Sequence, residues 1–207
     1  MTRRKVANPL ALVVLASLEE RSMHPYEMAT TLRARHKDES IKLNFGSLYT
    51  VVDALQRHGL IEAQETEREG RRPERTVYRI TEAGSAELFD WLSELISVPG
   101  KEYLQFEAGL SLLPVLTPDQ AVQLLGIRCQ HLEVDLAQRR TVRDMIAAQG
   151  VPRLLFVEFE YMTALLEAEL EWTRTLIGEV ESKTLDGVEQ WHVFHAPHPD
   201  AERGHAT

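Results

Sequence analysis

Residues 44–60 read Asn44-Phe45-Gly46-Ser47-Leu48-Tyr49-Thr50-Val51-Val52-Asp53-Ala54-Leu55-Gln56-Arg57-His58-Gly59-Leu60. Asn44 is a helix N-cap, Leu48, Val51, Val52 and Leu55 recur on one face at three- and four-residue spacing, and Gly59 is a left-handed stop. The helix so defined has one side to bury. Its other side carries Ser47, Tyr49, Thr50 and Asp53 near the N-terminal half, preceded by Lys42. Hydroxyls and amides at a helix N-terminus pair with base edges or phosphates, and the positive end of the helix attracts phosphate. An ordinary capped surface helix carries the same residue types, so the flanking segments must decide between the two.

Upstream, Asn8 followed by Pro9 reads as an N-cap with proline in the first helical position. Leu10, Val14 and Leu18, flanked by Ala11 and Leu15, give that helix a buried stripe ending near Arg21. Pro25 opens a second helix with Tyr26, Met28, Ala29 and Leu32, closed by the polar run 33–40. Downstream the period changes. Leu60 to Thr66 and Thr76 to Ile80 favour extended chain, and they flank a charged tip at 67–75, which reads as a β-hairpin. Arg68, Arg71, Arg72 and Arg75 crowd this tip around Gly70 and Pro73, where an arginine-rich ribbon can reach phosphates or a minor groove. Glu67, Glu69 and Glu74 reduce its net charge to +1, and a solvated turn would have the same composition. Thr2-Arg3-Arg4-Lys5 is a basic arm before the first helix. Thr81 caps a further helix to about Ser97, with Leu88, Trp91, Leu92 and Leu95 as its apolar face, and Pro99-Gly100 ends it. Three helices followed by a hairpin is the order of a winged helix-turn-helix, so residues 1–98 are expected to form a DNA-binding domain.

Residues 99–185 read as helix throughout. A short segment, Tyr103 to Leu113, precedes the capping box Thr117-Pro118-Asp119-Gln120, which starts a long helix running to Gly150. Leu125, Cys129, Leu132 and Leu136 step by four, three and four, the spacing of a narrow helix-pairing seam. A second long helix runs from near Pro152 to about Ser182, with Leu155, Phe159, Met162 and Leu166, then Leu176 and Val180, at similar intervals. Two antiparallel helices cannot bury both seams alone, so these eight positions from Leu125 to Leu166 are expected to form a dimer interface with a second copy. A monomeric bundle packed on the front domain is the alternative.

The chain is 207 residues long with 43% hydrophobic and 27% charged residues, the composition of an ordinary folded domain. Its net charge of −9 divides into +3 over residues 1–80 and −12 over 81–207, a mildly basic front and an acidic back. Such asymmetry suits a polyanion-binding module joined to something else, although an acidic helix array gives the same sum. No window has the roughly 18 consecutive apolar residues of a membrane span, and the N-terminus lacks a signal-peptide pattern, so a cytoplasmic protein without membrane partner is expected. The single Cys129 excludes internal disulfides and thiolate zinc clusters. There is no phosphate-binding glycine loop, G-x-S-x-G elbow or H-E-x-x-H, so neither an enzyme nor a cofactor is expected. His192, His195 and His198 step by three, but Pro197 and Pro199 oppose a helix there. Residues 186–207 read as a flexible tail, without a metal site. Trp91, Phe106, Phe159 and Trp172, with Phe156 and Tyr161, are candidates to line a pocket for a small apolar or aromatic effector; aromatics at helical spacing serve equally as core.

Particular stretches resemble the PadR family of transcriptional regulators. Met23-His24-Pro25-Tyr26-Glu27-Met28 resembles the family's helix-two opening, with Pro25 where glycine usually stands. Residues 45–55, followed by Gly59-Leu60-Ile61, are similar to its recognition helix. Gly70 to Tyr78 and then Arg79-Ile80-Thr81-Glu82-Ala83-Gly84 are similar to its wing and fourth helix, while the back half matches mainly in helical character. The resemblance implies a mainly α fold with a small β-hairpin wing: an N-terminal winged helix-turn-helix and a C-terminal long-helix dimerisation domain. It further implies a homodimeric repressor on an inverted-repeat operator in double-stranded DNA, released by a small molecule, with Ser47 and Tyr49 touching DNA and wing arginines at its backbone. A two-fold dimer presents two recognition helices to half-sites about 34 Å apart, and a ligand would act by preferring a mis-spaced state. The alternative from another class is a protein-interaction adaptor using the winged-helix scaffold without DNA.

Overall fold

The structure, a computed structural model, describes Val6 and residues 8–34, 45–64 and 76–196. The chain divides into two compact units, Met1–Lys101 and Glu102–Thr207.

The first unit is built around α1 (Pro9–Glu20). The Asn8 side chain accepts from the Leu10 amide at 2.9 Å, which satisfies one of the donors a helix start leaves open. Leu10, Ala11, Val13, Val14, Leu15, Ser17 and Leu18 are all buried, nearly the whole circumference, because α3 (Phe45–Arg57), α4 (Glu82–Ser97) and strand β2 (Val77–Ile80) pack on different sides of α1. Ser17 tolerates this because its hydroxyl donates to the Val13 carbonyl at 2.8 Å. With α2 (Pro25–Ala34) adding Met28 and Ala29, and α3 adding Leu48, Val51, Val52 and Leu55, one continuous apolar core results. Burying each Leu of such a core contributes about 1.5–3 kcal/mol.

β1 (Ile61–Gln64) pairs antiparallel with β2, Ile61 opposite Ile80 and Ala63 opposite Tyr78. Met23, just before α2, exchanges both backbone hydrogen bonds with Tyr78 at 3.1 Å and so adds a bridge to the ribbon. The winged-helix order expected for the front of the chain is therefore present. The apolar face expected on α4 is only half used. Leu88 and Trp91 are buried with Gly84, but Leu92 and Leu95 are 37% and 57% exposed, because only the stripe turned toward α1 meets the core.

The second unit comprises α5 (Gln105–Ser111), a 3-10 turn at Leu113–Val115, the long α6 (Pro118–Ala148), a 3-10 turn at Arg153–Phe156, α7 (Val157–Glu181) and α8 (Val188–Phe194). α6 begins with the capping box: Thr117 Oγ1 accepts from the Gln120 amide at 3.2 Å and Gln120 Oε1 accepts from the Thr117 amide at 3.0 Å. Its 31 residues span about 46 Å at 1.5 Å per residue. α7 packs back along α6, and its regular turns start later than expected because residues 153–156 wind more tightly. Cys129, Leu132 and Leu136 of α6 form a cluster with Leu170 of α7, flanked by Leu166 and Ile177. Three ion pairs lace the two helices: Arg128 Nε to Glu169 at 2.6 Å, Arg174 to Glu133 at 2.5 Å and Arg140 to Glu167 at 3.1 Å. Arg174–Glu133 and Arg140–Glu167 are exposed, and such pairs contribute about 0–1 kcal/mol each; Arg128–Glu169 is partly buried.

The expected free tail from residue 186 is corrected by α8. Val188 is buried, Trp191 donates through Nε1 to the Leu116 carbonyl at 2.8 Å, and His195 Nε2 lies 2.9 Å from the Pro114 carbonyl. These partners are remote in sequence, which is why local polarity and prolines misled. The positions from 197 onward, His198 among them, lie outside the described residues.

Candidate nucleic-acid interface

α3 is fixed at its C-terminal end by a left-handed glycine. Gly59 has φ +70°, its amide donates to the Gln56 carbonyl at 2.9 Å, and the Leu60 amide donates to the Leu55 carbonyl at 3.0 Å. This double bond pattern closes the helix and turns the chain directly into β1. Thr81 then joins this corner to α4: its hydroxyl donates to the Gly59 carbonyl at 2.8 Å and accepts from the Gly84 amide at 3.1 Å, while its own amide donates to Leu60 at 3.1 Å. Gly84 is required here, because a Cβ would stand 2.0 Å from the Leu60 oxygen and 2.7 Å from Ile80 Cγ1. α1, α2 and β1 thus pack against the back of α3, and Thr81 ties its C-terminal corner to the start of α4.

The face left outward carries Gly46, Ser47, Tyr49, Thr50, Asp53 and Arg57, all exposed, while Leu48, Val51, Val52 and Leu55 point inward. Tyr49 is a large ring 45% exposed at the N-terminal half of the helix. The Thr50 hydroxyl donates to the Gly46 carbonyl at 3.1 Å, which leaves its oxygen lone pairs as acceptors. Asp53 is acidic on this face, and Arg57 reaches back to the Asp53 carbonyl at 3.3 Å. Lys42 and Asn44, and Arg68, Arg71, Arg72 and Arg75 of the wing, lie outside the described residues, as does the basic arm at residues 2–5.

Two further residues meet this face that the reading by helical spacing did not single out. The His24 and Tyr49 rings meet in a T-shaped arrangement, with centroids 6.5 Å apart and planes at 68°. Tyr78 of β2 lies close enough that Asp53 and Tyr49, after burial itself, push its phenol above the ordinary range, so it remains a protonated donor. Only the proline after His24 signalled a helix start at that point, and no one-dimensional pattern links residues 24, 49 and 78.

In the second unit, Phe106 lies under the Arg128 guanidinium, 3.6 Å from ring centroid to Cζ, and meets Trp172 edge-on at 6.3 Å. Phe159 lies 5.1 Å from the Arg139 guanidinium. Trp91 is buried in the core of the first unit, whereas Phe106, Phe159 and Trp172 belong to the second. A cavity of about 330 Å³ lies between the start of α6, the end of α7 and α8, lined by Pro118, Val122, Val180, Lys183 and His192 among others; it contains none of the four expected aromatics. Leu125, Cys129, Leu132 and Leu136 are buried within a single copy of the chain, whereas Leu155 and Met162 are 59% and 42% exposed and Phe159 and Leu166 are half-buried. Cys129, Leu132 and Leu136 of the expected dimer seam therefore already have a partner in Leu170 of α7. Burial pushes the Cys129 thiol up, outweighing the opposite pull of Arg174, which makes it a poor nucleophile. Among the described residues no group of His, Cys, Asp and Glu could hold a metal ion, and no helix is long and apolar enough to cross a membrane.

Residues 14–90 match the model of the family described as transcriptional regulator PadR-like. No curated protein matches the chain. Among solved structures, it is similar to Bacillus subtilis PadR in complex with operator DNA, at 15% identity and TM-score 0.66, covering 83% of this chain and 98% of that one. The same protein in complex with p-coumaric acid matches at 14% identity and TM-score 0.66, with the same coverages of 83% and 98%. The Vibrio cholerae virulence activator AphA matches at 17% identity and TM-score 0.61, covering 84% of this chain and 99% of that one. At these identities the likeness is one of fold: a winged helix followed by long C-terminal helices.

Proposed function

Starting from residues 14–90 as a domain of the PadR-like family of transcriptional regulators, we propose that the chain is a homodimeric, sequence-specific DNA-binding repressor acting on an inverted repeat. Residues 1–98 are its DNA-binding domain and residues 99–185 its dimerisation and effector domain, and it works in the cytoplasm. The observation that carries this reading is the outward face of α3, where Ser47, Tyr49 and Thr50 stand exposed on a helix clamped from behind by Gly59, Thr81 and Gly84. A rigid helix with polar side chains at its N-terminal half can enter a major groove without reorganising. Lys42 and Asn44, which precede α3 in the sequence, and Arg68, Arg71, Arg72 and Arg75 are proposed as further contacts to the bases and phosphates.

Dimerisation is supported by apolar surface on α7 and the turn before it. Leu154, Leu155, Val157, Tyr161, Met162 and Leu165 are all exposed large hydrophobics close together in sequence, apolar surface of the kind that marks an interaction site. Phe159 and Leu166 border it. Two copies joined there present two α3 helices to half-sites about one helical turn, 34 Å, apart. A small apolar or aromatic effector, held by Phe106, Phe159 and Trp172, releases the DNA by stabilising a mis-spaced dimer. The operator-bound and p-coumaric acid-bound PadR structures of the same fold are in keeping with both partners.

Selection of bound fragments from genomic DNA tests the reading. Recovered sites that share an inverted repeat, with binding that weakens steeply as salt rises, are the expected outcome. A chain that retards no fragment at low salt supports a winged-helix adaptor instead.

A further inference from the structure

We propose that His24 is a positioning residue for DNA reading: its imidazole, locked by the start of α2, holds the Tyr49 ring in the orientation in which α3 presents it. This rests on the DNA-binding reading of α3 given above.

The lock has three parts. His24 Nδ1 accepts the Tyr26 amide at 3.1 Å, and the His24 carbonyl accepts the Glu27 and Met28 amides at 2.9 and 3.1 Å, so both side chain and backbone of His24 serve as the cap of α2. The cap bond to Nδ1 sets the plane of the ring. On the other side Met23 is pinned to β2 by its paired hydrogen bonds with Tyr78. The Cα of His24 is therefore fixed between a helix start and the root of the wing.

Tyr49 needs such a constraint. It is a large ring, 45% exposed, with its neighbours Thr50 and Ser47 too short to brace it. The T-shaped His24–Tyr49 pair, at 6.5 Å and 68°, has the geometry in which one ring's positive rim meets another's negative face. A phenol ordered before DNA arrives loses less rotamer entropy on binding. The α2 cap and the reading helix are thereby coupled through one ring pair.

A double-mutant cycle on DNA affinity tests this, using the full chain and the duplex recovered by genomic selection. His24→Asn keeps an acceptor for the Tyr26 amide while removing the ring, so the melting temperature should stay close to that of the wild type. Its affinity should fall about 3- to 10-fold, the size of an edge-to-face pair. In a Tyr49→Ala background the same substitution should cost nothing further. His24→Phe, which restores a ring without the cap acceptor, should recover part of the affinity at the expense of melting temperature. Equal losses from His24→Asn with and without Tyr49 would overturn the positioning role while leaving DNA binding intact. A wild-type chain that binds no duplex would overturn both.

Discussion

The two units solve the burial problem differently. In the first, α1 is enclosed by α3, α4 and β2, and Leu15, Val14 and Ala11 have no exposed surface at all. In the second, α6 and α7 share one narrow seam of Cys129, Leu132, Leu136 and Leu170, and most of the remaining apolar side chains of α7 face water. The core around α1 closes within a single chain, although Phe89, Leu95 and Ile96 of α4 stay exposed. The second has a closed seam between its long helices and an exposed apolar surface on α7, the surface to which the proposed pairing is assigned.

That contrast can be broken most forcefully at Leu15. Leu15→Ala in the enclosed core should cost about 2–5 kcal/mol, with Leu132→Ala in the one-layer seam toward the low end of that range, since surroundings that can collapse leave a smaller cavity. Urea unfolding of the two variants checks this, and equal losses would argue that the units are packed alike. Next in size is Gly84→Ala. The clash with the Leu60 oxygen and Ile80 should cost about 1–3 kcal/mol or more and loosen the corner that holds α3, read as a lowered melting temperature. Met162→Glu changes an exposed apolar side chain in the proposed pairing surface. It should weaken self-association about 10-fold or more in sedimentation while leaving the melting of the first unit in place. The smallest effect belongs to Arg140→Ala, which removes an exposed interhelical ion pair and should cost under about 1 kcal/mol, less at high salt.

What could be read from the sequence was local chemistry. Asn8, Thr81 and Thr117 announced three helix starts, and Gly59 a stop, because a cap involves residues two to four apart. The outward position of Ser47, Tyr49 and Thr50 followed from the spacing of Leu48, Val51, Val52 and Leu55. What could not be read was the identity of each apolar partner. The spacing of Leu125 to Leu136 showed a helix-pairing seam but could not say that Leu170 of the same chain covers Cys129, Leu132 and Leu136. Trp91, Leu92 and Leu95 share one helical face by spacing, yet only the first is buried. α8 depends on Trp191 and His195 reaching carbonyls 75 and 81 residues away, information that no local window contains. His24 was quoted for its place before α2, but its ring contact with Tyr49 required the fold.

The central claim is that two α3 helices, held by a symmetric pair of chains, read one duplex together. Fluorescence anisotropy on the selected duplex, compared with one in which about 5 base pairs, half a helical turn, are inserted between the half-sites, tests it most directly. Affinity for the lengthened site should fall to the level of unrelated DNA, because the second helix then faces the wrong side of the duplex. Undiminished affinity would contradict the account, since each chain would then be binding alone.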